Sequence, residues 1–447
     1  MRAPAIAPIE IRDPLHGAIP VDDRETAVVN HPFVQRLRGI RQLGFSHYPF
    51  PGATHSRFAH SLGAMHLAGR AFDAIFRDRP FASPAREAAF RHCLRLAALC
   101  HDLGHPPFSH AAEFAMPALR PLGVRAYKPD VVGPRLDRQA THEDYTIAIL
   151  TESRLAQVIS ANFPFGPAHV AALVSPEVAV PDDFFIEQGV DLQPLLAQLI
   201  SSELDVDRMD YLPRDSLFTG AVYGKVDSDW LISNLTRVVE ADGRCALALD
   251  ARALHAFDDF IIARFHMFLM VYFHQKSIAY EEMLKRYIQS EDNTYALPAD
   301  LEAYRLTDDA ELWAHLRASR SPWARRVVDD EPYKVALDTH GDPDHAALHQ
   351  KVEALQRAGI DAIPKAAVGV VLKPRKPGRP TFYVVDPRPG AAHPRMLVED
   401  ATRMFSTPDH RVTLSRIYVP PEDVGRAREI LRDRWTQPPL LAAPEHT

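Results

Sequence analysis

The chain has 447 residues, of which 46% are hydrophobic and 24% are charged, and its formal net charge is -7. These values are typical of a globular protein with a sizeable core and exclude a disordered chain. The negative charge provides no general attraction to nucleic acid, so a polyanion would need a local basic patch.

Cysteine usage and hydropathy indicate the compartment. Cys93 and Cys100 lie in an apolar run, and with Cys245 they lack the spacing of a metal knuckle. Reduced, buried thiols of this kind are typical of cytosolic proteins. The N-terminal sequence MRAPAIAPIEIRD has no apolar core of signal-peptide length, and no apolar run is long enough to span a bilayer. We therefore expect a cytoplasmic protein with no membrane association.

The first predicted elements are short. The sequence IRDPLHGAIPV reads as a strand or hairpin, and Pro32 opens a helix in HPFVQRLRGIRQLG. Arg36, Arg38 and Arg41 share this helix, where a solvated basic face is the expected role. Apolar residues at helical spacing predict two longer helices, one after Pro51 and one over residues 84–100.

The stretch LRLAALCHDLGHPPFSH carries four polar side chains of chemical interest, His101, Asp102, His105 and His110. Burying a histidine and an aspartate after an apolar segment costs free energy unless they are paired, and a metal ion is one way to pair them. A capped helix end followed by a turn is the plain alternative. His60, on the helix after Pro51, is by itself equally consistent with a core or capping role.

The sequence AAEFAMPAL after His110 predicts a helix that places Glu113 on the same face as His110. A carboxylate there can fix the imidazole tautomer, as catalytic histidines require, and a surface ion pair is the alternative. Thr141 is a good helix cap, and the acidic residues after it suit the helix dipole. Neither helix capping nor the helix dipole explains why a histidine, His142, stands between Thr141 and these acidic residues.

The segment SSELDVDRMDYLPRDSLFTG is dense in carboxylates that alternate with apolar residues. At helical spacing several of these acids must point inward. Asp207 would project with both Asp210 and Tyr211.

The rest of the chain predicts two regions. Residues 252–288 predict one long central helix. Arg264 is the polar residue of this helix that a purely structural role in the core explains least well. After about residue 290 come short helices, then the strands AAVGVVLKP and PTFYVVDP joined by the basic turn PRKPGR, a third strand TLSRIYVP and a closing helix. We therefore expect a mainly α protein, with a helical core over residues 1–290 and a smaller α+β lobe over residues 291–447.

Four side chains can close one metal site: His60, His101, Asp102 and Asp207. Two imidazoles and two carboxylates suit Mn, Fe, Co, Ni or Zn better than Ca or Mg alone. No glycine-rich phosphate loop, dinucleotide fingerprint or Ser-His-Asp elbow competes with this interpretation.

Six motifs occur in an order that resembles a known family. They are RDPLHG, FVQRLRGIRQLG, PGATHSRFAHSLG, LCHDLGHPPFSH, THED and LDVDRMDYLPRD. Together they resemble the HD-domain deoxynucleoside triphosphate triphosphohydrolases, which include an animal enzyme with SAM and HD domains and bacterial dNTPases. The likeness covers about residues 11–290 strongly and the C-terminal lobe more weakly.

The resemblance implies a role for each matching residue. The implied metal ligands are His60, His101, Asp102 and Asp207. The implied residues of the reaction centre are His105, His110, Glu113 and His142. The implied contacts of the triphosphate are Arg57, Arg208, Tyr211 and Arg264. The implied contacts of the deoxyribose are Gln42, Leu43, Asp215 and Tyr272.

The resemblance also implies a reaction. A water made more acidic by the cation attacks the α-phosphorus, with Mg able to accompany the triphosphate. His110, oriented by Glu113, protonates the departing 5′-oxygen, while His105 and His142 stabilise charge on the phosphoryl oxygens. The products are a deoxynucleoside and inorganic triphosphate. Stacking of Tyr272 on the sugar would exclude a 2′-hydroxyl.

The family is further associated with a homo-oligomer, a dimer or a dimer of dimers, that has nucleotide effector pockets between subunits. Gln35 and Arg38 match the effector motif, but Asn30 stands where the family has a carboxylate. An asparagine cannot accept two hydrogen bonds from a guanine edge, which weakens the expectation of allosteric activation by GTP. Glu113 also replaces a shorter aspartate of the animal enzyme.

Two other functions use the same residues. A nuclease or phosphodiesterase acting on single strands, or a nucleotide phosphatase, could share the metal site. Nucleic-acid binding would need a basic groove with aromatic residues, and the sequence offers a cluster expected to be a solvated hairpin tip: Lys373, Arg375, Lys376 and Arg379. A non-catalytic nucleotide-binding regulator is disfavoured because it has no physical reason to keep these buried charges.

Overall fold

The computed structural model describes residues 9–78, 81–130, 136–341, 345–370, 381–388, 391, 394–402 and 411–432. The helices are α1 (Asp23–Val29), α2 (Pro32–Arg36), α3 (Arg57–Phe76), α4 (Pro84–Cys100), α5 (His142–Glu152), α6 (Arg154–Asn162), α7 (Pro167–Val174), α8 (Gln193–Ile200), α9 (Val206–Thr219), α10 (Ser228–Ser233), α11 (Leu254–Met267), α12 (Gln275–Ile288), α13 (Leu301–Tyr304), α14 (Asp309–Ala318), α15 (Pro322–Val328), α16 (His345–Arg357), α17 (Val398–Ala401) and α18 (Val424–Arg432). The strands are β1 (Ile9–Asp13), β2 (Gly17–Val21), β3 (Ile186–Glu187), β4 (Val190–Asp191), β5 (Leu235–Val239), β6 (Cys245–Asp250), β7 (Lys334–His340), β8 (Ile363–Val370), β9 (Tyr383–Val385), β10 (Arg395–Leu397) and β11 (Arg411–Val419). The protein is mainly α, as the sequence predicts.

The centre of the fold is α3, which packs against α4 and α9. Most of α3 is buried, so the helix is apolar on nearly every side. Gly63 lets α3 and α9 approach closely, because a Cβ atom there would lie 1.9 Å from Asp210 Oδ1. This contact places His60 on α3 beside the acidic face of α9.

Helix α4 begins and ends as the sequence predicts. The Ser83 side chain accepts a hydrogen bond from the Arg86 amide at 3.2 Å, and Pro84 occupies the first turn. The helix ends at Cys100, directly before His101 and Asp102. The chain then turns at Gly104, where a Cβ atom would lie 2.0 Å from the His142 carbonyl oxygen. This close approach brings the start of α5 against the turn.

Helix α9 contains Pro213 in its interior and continues through it to Thr219. Asp205 caps the helix by accepting from the Arg208 amide at 2.8 Å. Pro213 cannot donate to the Met209 carbonyl, but the Ser228 hydroxyl donates to that oxygen at 3.4 Å. The helix therefore holds its carboxylates in register on either side of the proline.

The N-terminal hairpin is confirmed, since β1 and β2 pair antiparallel and Asp13 lies opposite Gly17. The helix predicted after Pro32 is shorter than expected, because α2 ends at Arg36 and a single 3-10 turn follows. The expectation that Arg36 is solvated is wrong. Its guanidinium is buried and donates to the carbonyl oxygens of Thr307, Leu103 and His105 at 2.8 to 3.3 Å.

Two predicted helices differ in the structure. The segment after His110 is a 3-10 helix, Ser109–Ala115, and not an α-helix. The long helix expected over residues 252–288 is broken into α11 and α12 by a π-helical turn, Phe268–Tyr272. The break is stabilised locally, because the His274 side chain accepts from the Lys276 amide at 3.2 Å and caps α12.

Two sheets contain most of the strands. The first has the order β10-β9-β6-β5, with β6 and β9 parallel and the other pairs antiparallel, and the second has the antiparallel order β7-β11-β8. The strands of AAVGVVLKP and PTFYVVDP were expected to form one hairpin, but β8 and β9 lie in different sheets. The basic cluster at residues 373–379 lies outside the described residues.

The C-terminal region contributes to two cores. Buried residues between 295 and 333 join the main apolar core, and β9 extends the sheet of β5 and β6. A second, smaller core lies between α16, α18 and β11. The separation of a lobe at residue 290 remains a proposal. The described part of the chain contains no helix of the length and apolarity that a membrane crossing requires.

Candidate metal centre

Four side chains meet at the junction of α3, α4 and α9. His60 Nε2 lies 3.0 Å from Asp207 Oδ1, 3.4 Å from His101 Nε2 and 3.7 Å from Asp102 Oδ2. His101 Nε2 lies 3.3 Å from Asp102 Oδ1 and 3.5 Å from Asp207 Oδ1. The structure therefore brings together all four residues that the sequence suggests as metal ligands.

Hydrogen bonds on the far side of each imidazole determine which atoms face the centre. His60 Nδ1 donates to Asp210 Oδ2 at 2.8 Å, and His101 Nδ1 donates to the Ala98 carbonyl oxygen at 2.7 Å. In the neutral imidazoles, both Nε2 atoms then carry lone pairs that face each other and the two carboxylates. Such a set of converging acceptors fits a divalent cation of the Mn, Fe, Co, Ni or Zn type.

The electrostatics of this junction also favour a positive charge. Burial lowers the pKa of His60, but the hydrogen bonds to Asp207 and Asp210 outweigh it and raise that pKa to about 10. Burial raises the pKa of Asp207, while His101 and His60 hold it far below its usual range. Asp207 is 32% exposed while His60 is fully buried, so the centre opens on the Asp207 side.

A second cluster lies beside the first and contains His105, His110, His142 and Glu113. The ring centroid of His142 lies 4.0 Å from that of His105 and 5.1 Å from that of His110. Glu113 Oε1 accepts from His110 Nδ1 at 3.1 Å and also from His142 Nδ1. All four residues that the resemblance assigns to the reaction centre are thus adjacent.

Residues of both clusters line one cleft of about 220 Å³, while His60 and Glu113 lie outside its lining. Its walls contain Gln42, Arg57, His101, Asp102, His105, His110, His142, Glu143, Asp207 and Tyr211. Two buried atoms in these walls, Gln42 Oε1 and His105 Nε2, have no hydrogen-bond partner among the described residues. Unpaired buried polar atoms are costly, so their presence in a cleft indicates a site for a polar ligand.

Arg57 joins the metal centre to the loop before His110. Its guanidinium pairs with Asp102 Oδ2, and its Nε donates to Ser109 Oγ at 2.8 Å. Ser109 Oγ in turn donates to the Arg41 carbonyl oxygen at 2.7 Å. Arg57 is buried yet lines the cleft, so its charge is available to an anion bound there.

Arg208 and Arg264 are buried and close enough to each other and to Tyr211 for their charges to act on one another. Arg208 pairs with Asp205, and Arg264 Nη1 lies 3.8 Å from Glu203 Oε2. Burial lowers the pKa of Arg264, and the charge of Arg208 lowers it further. Two buried guanidinium groups that repel each other favour an anion between or beside them.

The residues expected at a deoxyribose are only partly in the cleft. Gln42 lines it, whereas Asp215 and Tyr272 are not among the lining residues, and the Tyr272 hydroxyl donates to Asp215 Oδ2 at 2.9 Å. The second oxygen of Asp215 accepts from His55 Nε2 at 2.8 Å. Leu43 packs against the core and is not among the lining residues.

The residues of the expected effector motif lie on the surface around α1 and α2. Asn30 is exposed at the C-terminal end of α1. Gln35 donates to the Val29 carbonyl oxygen and accepts from Arg38 Nε, each at 2.7 Å. The Arg38 guanidinium stacks over the Phe58 ring at 3.8 Å from its centroid. The effector role of these residues remains a proposal.

The sequence reasoning missed the role of two carboxylates. Asp210 orients His60, and its signal was the spacing of three residues from Asp207. The run Thr307-Asp308-Asp309 predicts only a helix start, and Asp309 is the first residue of α14. In the structure its buried carboxylate accepts from the Phe108 amide at 2.7 Å and from the Arg41 amide at 3.0 Å. It thereby holds the loop that precedes His110.

Residues 57–214 match the family described as HD domain, and residues 226–358 match the HD associated region. In overall fold the chain is similar to a hypothetical protein from Aquifex aeolicus, with a TM-score of 0.72 and 23% sequence identity. That similarity covers 95% of this chain and 100% of the other.

Two curated relatives are similar in sequence. Uncharacterized protein YwfO of Bacillus subtilis is 32% identical over 277 residues, which are 62% of this chain and 54% of the relative. Deoxynucleoside triphosphate triphosphohydrolase SAMHD1 of Homo sapiens is 26% identical over 323 residues, which are 68% of this chain and 49% of the relative. The chain thus spans about half the length of the curated relatives it matches.

The HD-domain match begins at Arg57 and ends at Arg214, so it contains all four side chains that converge at the metal centre. The chain belongs to the HD-domain family, and its sequence is similar to that of the human deoxynucleoside triphosphate triphosphohydrolase SAMHD1.

Proposed function

We propose that the protein is a metal-dependent hydrolase that converts a dNTP to a deoxynucleoside and inorganic triphosphate. One observation carries this proposal: three side chains of the metal centre, His101, Asp102 and Asp207, line the same cleft as His105, His110 and His142. A cation site alone would serve many phosphohydrolases. A cation site next to an oriented imidazole acid, with arginines nearby, suits cleavage at the α-phosphorus.

His60, His101, Asp102 and Asp207 would hold the cation. When bound, a divalent cation supplies Lewis acidity, which lowers the pKa of a coordinated water and neutralises phosphate charge. The protein fixes the ligands through Asp210 and the Ala98 carbonyl, so little reorganisation is needed on metal binding. Arg57 pairs with Asp102 and so holds one carboxylate ligand in place.

His110 is suited to protonate the leaving 5′-oxygen. Its side chain is 66% exposed at the mouth of the cleft, and Glu113 accepts from its Nδ1 at 3.1 Å. A carboxylate behind an imidazole stabilises the protonated form and directs Nε2 toward the substrate. His105 and His142 lie within 5.1 Å of His110, ring centre to ring centre, and would contact phosphoryl oxygens.

Arg208 and Arg264 would bind the outer phosphates, since both are buried and near Tyr211, which lines the cleft. Gln42 would accept from the sugar or its 3′-hydroxyl through its unpaired Oε1. Tyr272, held by Asp215, would stack on the deoxyribose and leave no room for a 2′-hydroxyl. A homo-oligomer with a nucleotide effector near Gln35 and Arg38 is part of the same proposal.

The test is incubation of the purified protein with each dNTP and Mn, followed by separation of the products by anion exchange. Deoxynucleoside plus triphosphate supports the proposal. Pyrophosphate plus monophosphate, or single phosphates released in sequence, would overturn it. A single-stranded oligonucleotide assayed in parallel tests for a nuclease, which would degrade the oligonucleotide and leave dNTPs intact.

A further inference from the structure

The π-helical turn between α11 and α12 is also stabilised from outside the two helices. The turn closes where the Phe273 amide donates to the Phe268 carbonyl oxygen at 2.9 Å. Helix α12 then starts its own hydrogen-bond ladder, in which the Ile278 amide donates to the His274 carbonyl oxygen at 3.1 Å. The Phe273 carbonyl oxygen lies between the two ladders, and a carbonyl group in this position needs a donor from elsewhere in the chain.

That donor is Arg416 on β11. Its Nη1 donates to the Phe273 carbonyl oxygen at 2.5 Å, and its Nε lies 3.0 Å from Asp338 Oδ2 on β7. Arg416 is only 5% exposed, and a buried guanidinium is costly unless it is paired and hydrogen-bonded. The two contacts therefore fix the sheet of β7, β11 and β8 to the break between the helices.

A second contact joins the same sheet to the other end of the turn. Gly369 on β8 lies so close to Phe268 that a Cβ atom at this position would be 2.7 Å from Phe268 Cδ1. The Phe268 ring in turn contacts the Tyr272 ring edge to face, with the centroids 5.5 Å apart. The sheet thus contacts the first residue of the turn through Gly369 and the residue after the turn, Phe273, through Arg416.

Tyr272, the last residue of the turn, connects it to the region of the cleft. Its hydroxyl donates to Asp215 Oδ2 at 2.9 Å, and its ring centroid lies 6.1 Å from that of Tyr211, which lines the cleft. Helix α9 therefore holds the hydroxyl of Tyr272, while the sheet holds the backbone next to it. The position of the Tyr272 ring depends on both anchors.

We propose that Arg416 is a positioning residue, which fixes Tyr272 through the π-helical turn and thereby sets how strictly the protein rejects ribonucleotides. The inference rests on the proposed function, in which Tyr272 excludes a 2′-hydroxyl. Rejection of one hydroxyl by steric contact needs a rigid wall, because a ring that can shift admits the extra oxygen. Arg416 supplies that rigidity from a sheet whose described residues are absent from the lining of the cleft.

The experiment compares kcat/KM for dATP and for ATP in the Mn-loaded full chain and in three variants. The wild type should prefer dATP. Arg416→Gln and Gly369→Ala should each lower the ratio of the two values by about 10-fold or more, because the first removes an anchor of the turn and the second displaces the Phe268 ring. Lys365→Gln is the matched control and should keep the wild-type ratio. Lys365 lies opposite Arg416 on β8 and pairs with Glu282 on α12 at 2.6 Å, so it also joins the sheet to a helix but does not contact the turn.

Hydrogen exchange in the absence of substrate provides a second readout. The amides of Phe273 and His274 close the turn, and in Arg416→Gln they should exchange about 10-fold faster or more than in the wild type and in Lys365→Gln. Unchanged exchange would overturn the proposal, as would a wild type that hydrolyses ATP as well as dATP, or equal ratios in the wild type, Arg416→Gln and Gly369→Ala. If Arg416→Gln does not fold, the ratio in Gly369→Ala decides. Absence of dATP hydrolysis by the wild type would refute the proposed function, and the exchange rates would then decide whether Arg416 holds the turn.

Discussion

His60 and Asp210 form a hydrogen bond of 2.8 Å that aims the other imidazole nitrogen of His60 at Asp102 and Asp207. Asp210 is itself fully buried and is held by Arg214 and His16. An outer carboxylate in this position typically changes metal affinity by about 10- to 100-fold. Asp210 therefore sets how tightly the centre holds its cation.

Asp210→Asn should weaken metal binding by about 10- to 100-fold, because an amide fixes the His60 tautomer less firmly. Activity should recover as the concentration of Mn is raised. The control is Asp13→Asn, since Asp13 also pairs with Arg214 but does not touch His60. Equal metal affinity in Asp210→Asn and Asp13→Asn would contradict the role of Asp210.

Asp207→Asn should lower the metal affinity more than Asp210→Asn does. The Asp207 change removes a charged ligand of the cation, whereas the Asp210 change removes only the group that orients the ligand His60. Asp207 is partly exposed, so the fold should tolerate the change better than a substitution at Asp102. Metal content by elemental analysis and the thermal unfolding midpoint would check both statements. Retention of a full equivalent of tightly bound metal would show that Asp207 is not a ligand.

His110→Gln and Glu113→Gln should each reduce kcat by about 10²- to 10⁴-fold, the usual contribution of a general acid. Metal content at the centre formed by His60, His101, Asp102 and Asp207 should not change. His255→Gln is the control for loss of an exposed histidine beside a carboxylate. A kcat like that of His255→Gln would exclude His110 as the acid.

Asp309→Asn should reduce kcat by up to about 10²-fold with little change in KM, since a small misplacement of a reacting group has effects of that size. An asparagine can accept only one of the two amide hydrogen bonds that hold Phe108 and Arg41. Phe108 and Ser109 have φ angles of 53° and 58°, an unfavourable conformation that these bonds help to maintain. Asp308→Asn is the matched control, because an asparagine still caps α14 by accepting from the Glu311 amide, and kcat should stay unchanged. Equal kcat values for the two variants would contradict the positioning role of Asp309.

His66 should make the protein less stable in mild acid. Burial, then the charges of His16, Arg70 and Arg95, lower its pKa from 6.5 to about 4. Because the folded pKa is below the unfolded one, the stability that neutral His66 contributes is complete above pH 6.5 and is lost as the pH falls toward 4. The free energy of unfolding should therefore fall between pH 6.5 and pH 4 in the wild type, and His66→Gln should show a smaller fall. Denaturant unfolding of both proteins over this range would check it, and parallel pH profiles would contradict it.

Part of the arrangement at the metal centre could be predicted from local sequence. The apolar run predicts a helix that ends at Cys100, directly before His101 and Asp102, and the spacing of Asp207 and Asp210 predicts that they share one side of α9. The meeting of these elements with His60 depends on contacts between helices that are distant in sequence. The burial of Arg36 could not be predicted, because it depends on carbonyl groups of Thr307, Leu103 and His105 that are distant in sequence.

The division of the long helix and the pairing of the strands in the C-terminal half also depend on contacts between residues that are distant in sequence, so they were harder to predict. Residues 254–288 are apolar enough for one helix, and only the cap at His274 and the π-helical turn divide them. Strand β9 pairs with β6, more than a hundred residues earlier, and not with the neighbouring β8. Propensity and periodicity carry no information on such partners.

Hydrolysis of a dNTP in water enriched in ¹⁸O identifies the bond that the protein breaks. If water attacks the α-phosphorus and His110 protonates the 5′-oxygen, one ¹⁸O atom should appear in the released triphosphate and none in the deoxynucleoside. Label in the deoxynucleoside, or release of pyrophosphate or of single phosphates in place of triphosphate, would show that the bond between the α-phosphorus and the 5′-oxygen is not the one that breaks.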